Sequence, residues 1–133
     1  MKVRIYYHDT DCGGVVYYAN YLKYLEEARS EYFETRGLLI KNLRSEGIGF
    51  VVARQEIDYK SPAFYGDVLE IKTSVTEATF TRMNFEYEII NQNKQLIAAA
   101  KTVLVFVDKG LKPRRISEGM LKKLTYRQAQ GQS

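Results

Sequence analysis

A chain of 133 residues, 45% hydrophobic and 27% charged, fits one globular domain and excludes a disordered or fibrous class. The net charge of +4 is scattered and interleaved with acids, so charge alone favours neither a nucleic acid nor a phosphorylated small molecule. No apolar run approaches the roughly 20 residues of a membrane span, and no signal-type segment precedes the first strand pattern, which makes the cytoplasm the default expectation.

Lys2 to His8 alternates, with Val3, Ile5 and Tyr7 against Lys2, Arg4 and Tyr6, and predicts a strand. Gly13-Gly14 breaks it. From about Asn20, read as an N-cap, Tyr21, Leu25, Ala28 and Tyr32 recur at helical spacing opposite Glu27, Glu31 and Glu34, and Gly37 stands where a helix ends. A short second helix is expected within Leu38–Glu46. Strands follow over Ile48–Tyr59, Asp67–Thr76, Arg82–Ile89 and Leu96–Val107, with a hairpin turn at Asn91-Gln92-Asn93-Lys94. The last strand is apolar on both faces around Ala98-Ala99-Ala100 and is expected inside the sheet. Asp108–Arg115 reads as a loop, and Ser117 as the cap of a short helix reaching Leu124. These elements predict an α+β domain over residues 1–126 and a polar tail over 127–133. One long helix cannot cover about five strands, so a sheet edge is expected to pair with another subunit in a homodimer or homotetramer.

Asp11 is the first candidate for chemistry. It lies between strand and glycine turn, flanked by aromatic residues, where a carboxylate can act as base; the plainer reading is that Asp9, Thr10 and Asp11 satisfy loop amides. Gly13-Gly14 matches neither a phosphate loop nor a dinucleotide fingerprint, and instead permits a tight turn. Gly14, Val15, Val16 and Tyr17 would then approach a ligand closely, and amides near Tyr17 and Tyr18 at the helix entry would hold a carbonyl oxygen. Cys12 is a poor nucleophile beside Asp9 and Asp11. One histidine with one cysteine does not make a zinc site, so no metal or cofactor is expected. The eleven tyrosines read first as core and interface rather than as stacking platforms for single-stranded nucleic acid. Glu26 and Arg29 read as a surface ion pair.

The run Tyr7-His8-Asp9-Thr10-Asp11-Cys12-Gly13-Gly14-Val15-Val16-Tyr17, followed by Asn20-Tyr21, Glu26, Ala28 and Arg29, resembles hotdog-fold acyl-CoA thioesterases of the 4-hydroxybenzoyl-CoA thioesterase superfamily. The likeness is strongest to the YbgC-like branch associated with the Tol–Pal cell-envelope system. It extends through Val51-Val52, Tyr59 with Ser61-Pro62-Ala63, Asp67–Ile71 and Lys112-Pro113-Arg114, nearly to Leu124.

The resemblance implies a curved antiparallel sheet wrapped around one long helix, with two subunits joining their sheets and active sites between them. It implies Asp11 acting on a thioester carbon as nucleophile or general base, the Tyr18 N–H polarising the carbonyl, and Tyr7 lining the site. The implied substrate is an acyl-CoA, with acyl-carrier protein as an alternative carrier. Its nucleotide end would meet basic residues among Arg54, Lys60, Arg82, Arg114 and Arg115. A non-catalytic acyl-CoA or acyl-carrier-protein binding module of the same fold is the alternative. The chain departs from the branch at Tyr18, where a histidine is common, and at His8, where a glutamate is common.

Overall fold

The computed structural model describes residues 1–11 and 13–125. Cys12 and residues 126–133, including the expected polar tail, lie outside the described residues. Five antiparallel strands, β1 (Lys2–Arg4), β2 (Gly49–Tyr59), β3 (Val68–Ala78), β4 (Arg82–Ile90) and β5 (Leu96–Val107), form one sheet in the order β1-β3-β4-β5-β2. Alternation fixes which face is buried: Leu69 and Ile71 on β3, and Met83, Phe85, Tyr87 and Ile89 on β4, point to the core, while Glu86, Glu88 and their neighbours point away. β5 is interior, between β4 and the edge strand β2. β2 carries a bulge between Val52 and Arg54.

The long helix α1 (Tyr18–Thr35) lies against the core face and buries Tyr21, Tyr24, Leu25, Ala28 and Phe33. Burying a side chain such as Leu25 or Phe33 contributes roughly 1.5–3 kcal/mol. The helix stops in a Schellman turn: Leu38 N–H donates to the Phe33 carbonyl and Gly37 N–H to that of Glu34, each at 3.0 Å, with Gly37 at φ 78°. The short α2 (Ile40–Ser45) and α3 (Glu118–Thr125) follow the expected positions, and the Ser117 Oγ accepts from Met120 N–H at 3.1 Å.

Three expectations need correction. The first strand ends at Arg4, and Tyr7–Asp9 forms a single 3₁₀ turn, because Asp9 Oδ2 accepts the Tyr6 N–H at 2.9 Å and folds the segment back. The helix begins at Tyr18 rather than at an Asn20 cap; the Asn20 amide instead donates to the Asp9 carbonyl at 2.8 Å. Arg29 makes no ion pair with Glu26 among the described residues. It reaches beneath the sheet, donating to Tyr87 OH (3.2 Å) and Thr102 Oγ1 (3.4 Å), and Thr102 Oγ1 donates to Gln55 Oε1 at 2.7 Å. This chain of bonds ties α1 to β4, β5 and β2. No described helix is long and apolar enough to cross a membrane.

Candidate active site

Asp11 closes a five-residue loop. Its N–H donates to the Val15 carbonyl (2.9 Å), its carbonyl accepts from Gly14 N–H (3.0 Å), and its Oδ1 accepts from Gly13 N–H (2.9 Å) and Val15 N–H (3.3 Å). Gly14 sits at φ 79°, a conformation that disfavours any side chain, and a Cβ on Gly13 would stand only 3.3 Å from Asp11 Oδ1. Among the described residues Oδ2 accepts no hydrogen bond. Loop closure and availability thus fall on different oxygens of one carboxylate.

The loop's return limb runs directly into α1. Thr10 bridges Val16, and Tyr17 N–H donates to the Asp9 carbonyl at 3.3 Å, so Tyr18 follows immediately as the first helical residue. The helix has no side-chain cap and no acid in its first turn. Asn20 N–H donates to the Tyr17 carbonyl, whereas the Tyr18 and Ala19 N–H groups find no acceptor among the described residues. Unsatisfied amides at the positive end of an eighteen-residue helix are a site for a developing negative oxygen.

The remaining expected site residues lie in different settings. Tyr7 (73% exposed) stands edge-on to Tyr65 at 6.1 Å, and Tyr18 (68% exposed) packs its ring 4.5 Å from that of Tyr59. Gly14 and Val15 are held against the Phe64–Tyr65 segment by the Tyr65 N–H to Gly14 carbonyl bond and a Val15–Phe64 bridge. Tyr17 is exposed. Val16, expected among the substrate contacts, points into the core with 2% exposure and gives its N–H to the Ala63 carbonyl, so its side chain presents nothing to a ligand here. Lys60 follows Tyr59 at the same end, its N–H on the Ile97 carbonyl. Arg54 lies five residues back along β2, about 17 Å away, and is paired with Glu56 at 2.7 Å. It does not join the others.

Sequence reasoning missed Tyr59, Phe64 and Tyr65 as neighbours of the loop. The signal available was their clustering around Ser61-Pro62 with Gly66 (φ 90°) closing the turn. His8, expected at a strand end, is an exposed ring stacked on Tyr6 with its Nε2 3.5 Å from Asp9 Oδ1. Asp9 is buried, and beside it the Tyr24 phenol is pushed upward, first by burial and then by the Asp9 charge. Burial and neighbouring Tyr59 push Tyr21 up to about 12. Both phenols are therefore neutral at ordinary pH. No group of three or more potential metal ligands occurs among the described residues. An open groove of about 810 Å³ on the outer sheet face, lined by Glu56, Asp58, Lys72, Glu86, Glu88 and Lys101 among others, contains none of the candidate residues.

The chain has relatives among known proteins. The chain is 37% identical over 120 residues to the acyl-CoA thioester hydrolase YbgC of Escherichia coli, covering 90% of each chain. It is 31% identical to a 1,4-dihydroxy-2-naphthoyl-CoA hydrolase of Crocosphaera subtropica, covering 83% of this chain and 82% of that one. Among solved structures, a 1,4-dihydroxy-2-naphthoyl-CoA thioesterase from Synechocystis superposes with a TM-score of 0.85 at 28% identity, covering 93% of both chains. The family described as the thioesterase-like superfamily matches residues 5–124. With the five-stranded sheet curled around α1 as the hotdog fold requires, the chain belongs to the thioesterase-like superfamily, in its YbgC-like branch.

Proposed function

We propose that the chain hydrolyses the thioester of an acyl-CoA to a free carboxylic acid and CoA. The observation that carries this reading is the continuity between Asp11 and the uncapped helix start: one short limb links a carboxylate oxygen that has no partner among the described residues to the N–H groups of Tyr18 and Ala19, likewise without an acceptor among them. A thioester carbonyl oxygen at the helix start gains negative charge as its carbon is attacked, and the amides stabilise it; one such donor is typically worth ~10²–10³ in rate. Asp11 either takes a proton from the water that attacks the carbon, which gives the acid directly, or attacks the carbon itself and forms an acyl–aspartyl anhydride that water then cleaves to the acid; in both routes the CoA sulfur leaves as the thiol once protonated. The amide contribution of Tyr18 is a backbone property, so it survives the replacement of the branch's common histidine. Tyr7 and Tyr17 would flank the acyl group, with Tyr59, Phe64 and Tyr65 beside them; rings of this number suit aromatic as well as aliphatic acyl groups.

The test is thiol release across short-chain, long-chain and aromatic acyl-CoAs, with wild type and Asp11→Asn in parallel. We expect turnover by the wild type and a loss of kcat on the order of 10²-fold or more in the variant. Equal kcat in a folded Asp11→Asn protein would remove Asp11 from the mechanism. Binding of acyl-CoA with no turnover of any would replace hydrolysis by the binding-module reading.

A further inference from the structure

Cations and acids are interleaved along the chain, but their surplus is not evenly spread. Residues 40–47 and 107–116 hold Lys41, Arg44, Lys109, Lys112, Arg114 and Arg115 against Glu46 and Asp108, and this excess equals the whole net charge of +4. The remaining residues are balanced. The two segments meet at one end of the sheet, where Arg114 Nη1 donates to the Glu46 carbonyl at 3.1 Å and Gly49 pairs with Val107. Two of the six cations are engaged there, Arg114 on that carbonyl and Arg115 with its guanidinium 4.4 Å from the Phe80 ring centre. Lys41, Arg44, Lys109 and Lys112 are exposed and form no ion pair among the described residues. Asp108 commits an oxygen to its own loop, accepting from the Gly110 and Lys112 N–H groups at 2.8 and 3.0 Å, and Glu118 pairs with Lys122 at 3.5 Å.

Leu111 stands at the tip of the same loop. It is 71% exposed between exposed Gly110 and Lys112, and its backbone is held at φ 62°. The Leu111 N–H donates to the Asp108 carbonyl at 3.0 Å, so the loop itself imposes that conformation. Among the described residues Lys94 alone shares a positive φ without being glycine, and Lys94 is polar. Two costs therefore fall on one residue: a left-handed backbone that glycine adopts without strain, and an apolar side chain left in water. Neither is offset by packing, because Leu111 takes no part in the core. Strain and exposed apolar surface that folding does not use point to a use outside the fold.

An apolar side chain presented between lysines suits the interface of an anionic lipid layer, where the ammonium groups stay among the headgroup phosphates and the leucine enters the acyl boundary. Nucleic acid would answer the charge but not the leucine, and it calls for exposed rings to stack on. None accompanies the patch: Phe80 is partly buried beside Arg115, and the exposed Tyr17, Tyr18, Tyr59 and Tyr65 gather around the Asp11 loop. A folded protein partner binds through anchors seated in a shaped surface. A lone leucine on a protruding turn offers no such surface, whereas a lipid layer demands no matching shape.

We infer that the Asp108–Arg115 loop docks on an anionic membrane surface, with Leu111 in the headgroup–acyl boundary and Lys109, Lys112 and Arg44 on the lipid phosphates. The Asp11 loop lies at the Tyr59 end of β2 and the docking loop at its Gly49 end. Eleven residues of strand, about 35 Å, hold them apart, so the candidate active site stays in water while the chain is docked.

The test is cosedimentation of the full chain with vesicles of phosphatidylcholine, alone or in equal parts with phosphatidylglycerol, at low salt. The wild type is expected to bind the mixed vesicles, to ignore the neutral ones, and to be released as salt is added. Lys109→Gln with Lys112→Gln should weaken partitioning on the order of twentyfold, from about fivefold per cation. Leu111→Gly should weaken it roughly fivefold, with a melting temperature no lower than that of the wild type. A Lys2→Gln control on the opposite edge strand leaves binding unchanged. Failure to bind the mixed vesicles overturns the proposal, as does a Leu111→Gly chain that binds them like the wild type. Retention by single-stranded DNA without retention by vesicles would turn the patch over to nucleic acid. Loss of self-association in Leu111→Gly with vesicle binding intact, read by sedimentation velocity, would give the leucine to a second copy. None of these readings involves turnover, so failure of the thioesterase reading leaves the docking standing.

Discussion

The Asp11 loop and the Asn91 loop are the same backbone object carrying different chemistry. In both, the first residue's side-chain oxygen accepts the N–H groups two and four positions on: Gly13 and Val15 for Asp11, Asn93 and Gln95 for Asn91 at 2.9 and 3.0 Å. In both the first N–H donates to the fifth carbonyl, the fourth residue has a positive φ (79° at Gly14, 65° at Lys94), and the flanking residues pair, Thr10 with Val16 and Ile90 with Leu96. The Asp108 loop repeats the pattern with Leu111 at φ 62° and Val107 paired to Pro113. An amide oxygen therefore closes this loop as well as a carboxylate does. The hydrogen bonds around Asp11 explain why an Asx residue stands there; its charge is left over for another purpose. What separates it from Asp108 is the setting, an uncapped long helix on one side and exposed tyrosines on the other.

The largest effect that follows is the dissociation of activity from stability in Asp11→Asn. Because Asn91 shows the amide version of the loop, the variant should melt with the wild type while losing on the order of 10² or more in kcat. A large drop in melting temperature would break the equivalence. Next, Asn91→Ala leaves the Asn93 and Gln95 amides without acceptors and should lower unfolding stability by about 2 kcal/mol in chemical denaturation, with thiol release unaffected. Gly14→Leu forces a side chain into the left-handed region and should cost roughly 1–2 kcal/mol, together with activity, because the loop that carries Asp11 shifts. The smallest effect has the opposite sign. Leu111→Gly relieves the same conformation and should stabilise the chain by up to about 1 kcal/mol, read as a raised urea midpoint. A destabilised Leu111→Gly would mean that the exposed leucine contributes packing that offsets its backbone strain.

How much of this was legible in the sequence follows the range of the forces involved. β3, β4 and β5 were readable because their alternation is local and their burial is one-sided or complete, and Gly37 and Ser117 marked helix ends through bonds within a few residues. The Ile5–His8 segment was misread as strand because its turn depends on Asp9, whose carbonyl is claimed by Tyr17 and Asn20 from across the loop. Asp11 and Tyr18 stand seven residues apart in the chain, so the sequence could propose them together. Phe64 and Tyr65 were not, because only the fold brings them to Gly14 and Val15. Arg29 likewise carried no sign that it would turn under the sheet to Tyr87 and Thr102 rather than pair on the surface.

The unequal edges of the sheet also bear on solubility. One edge, β2, offers eleven residues to a partner; the other, β1, offers three and flanks them with the exposed cations Lys2 and Arg4. Any strand that added along β2 would use the one long edge of the described sheet. The edge that remains is too short and too charged to recruit another. A chain with two long edges could keep adding strands into a ribbon; the shortness of its first strand denies this one a second long template for such growth.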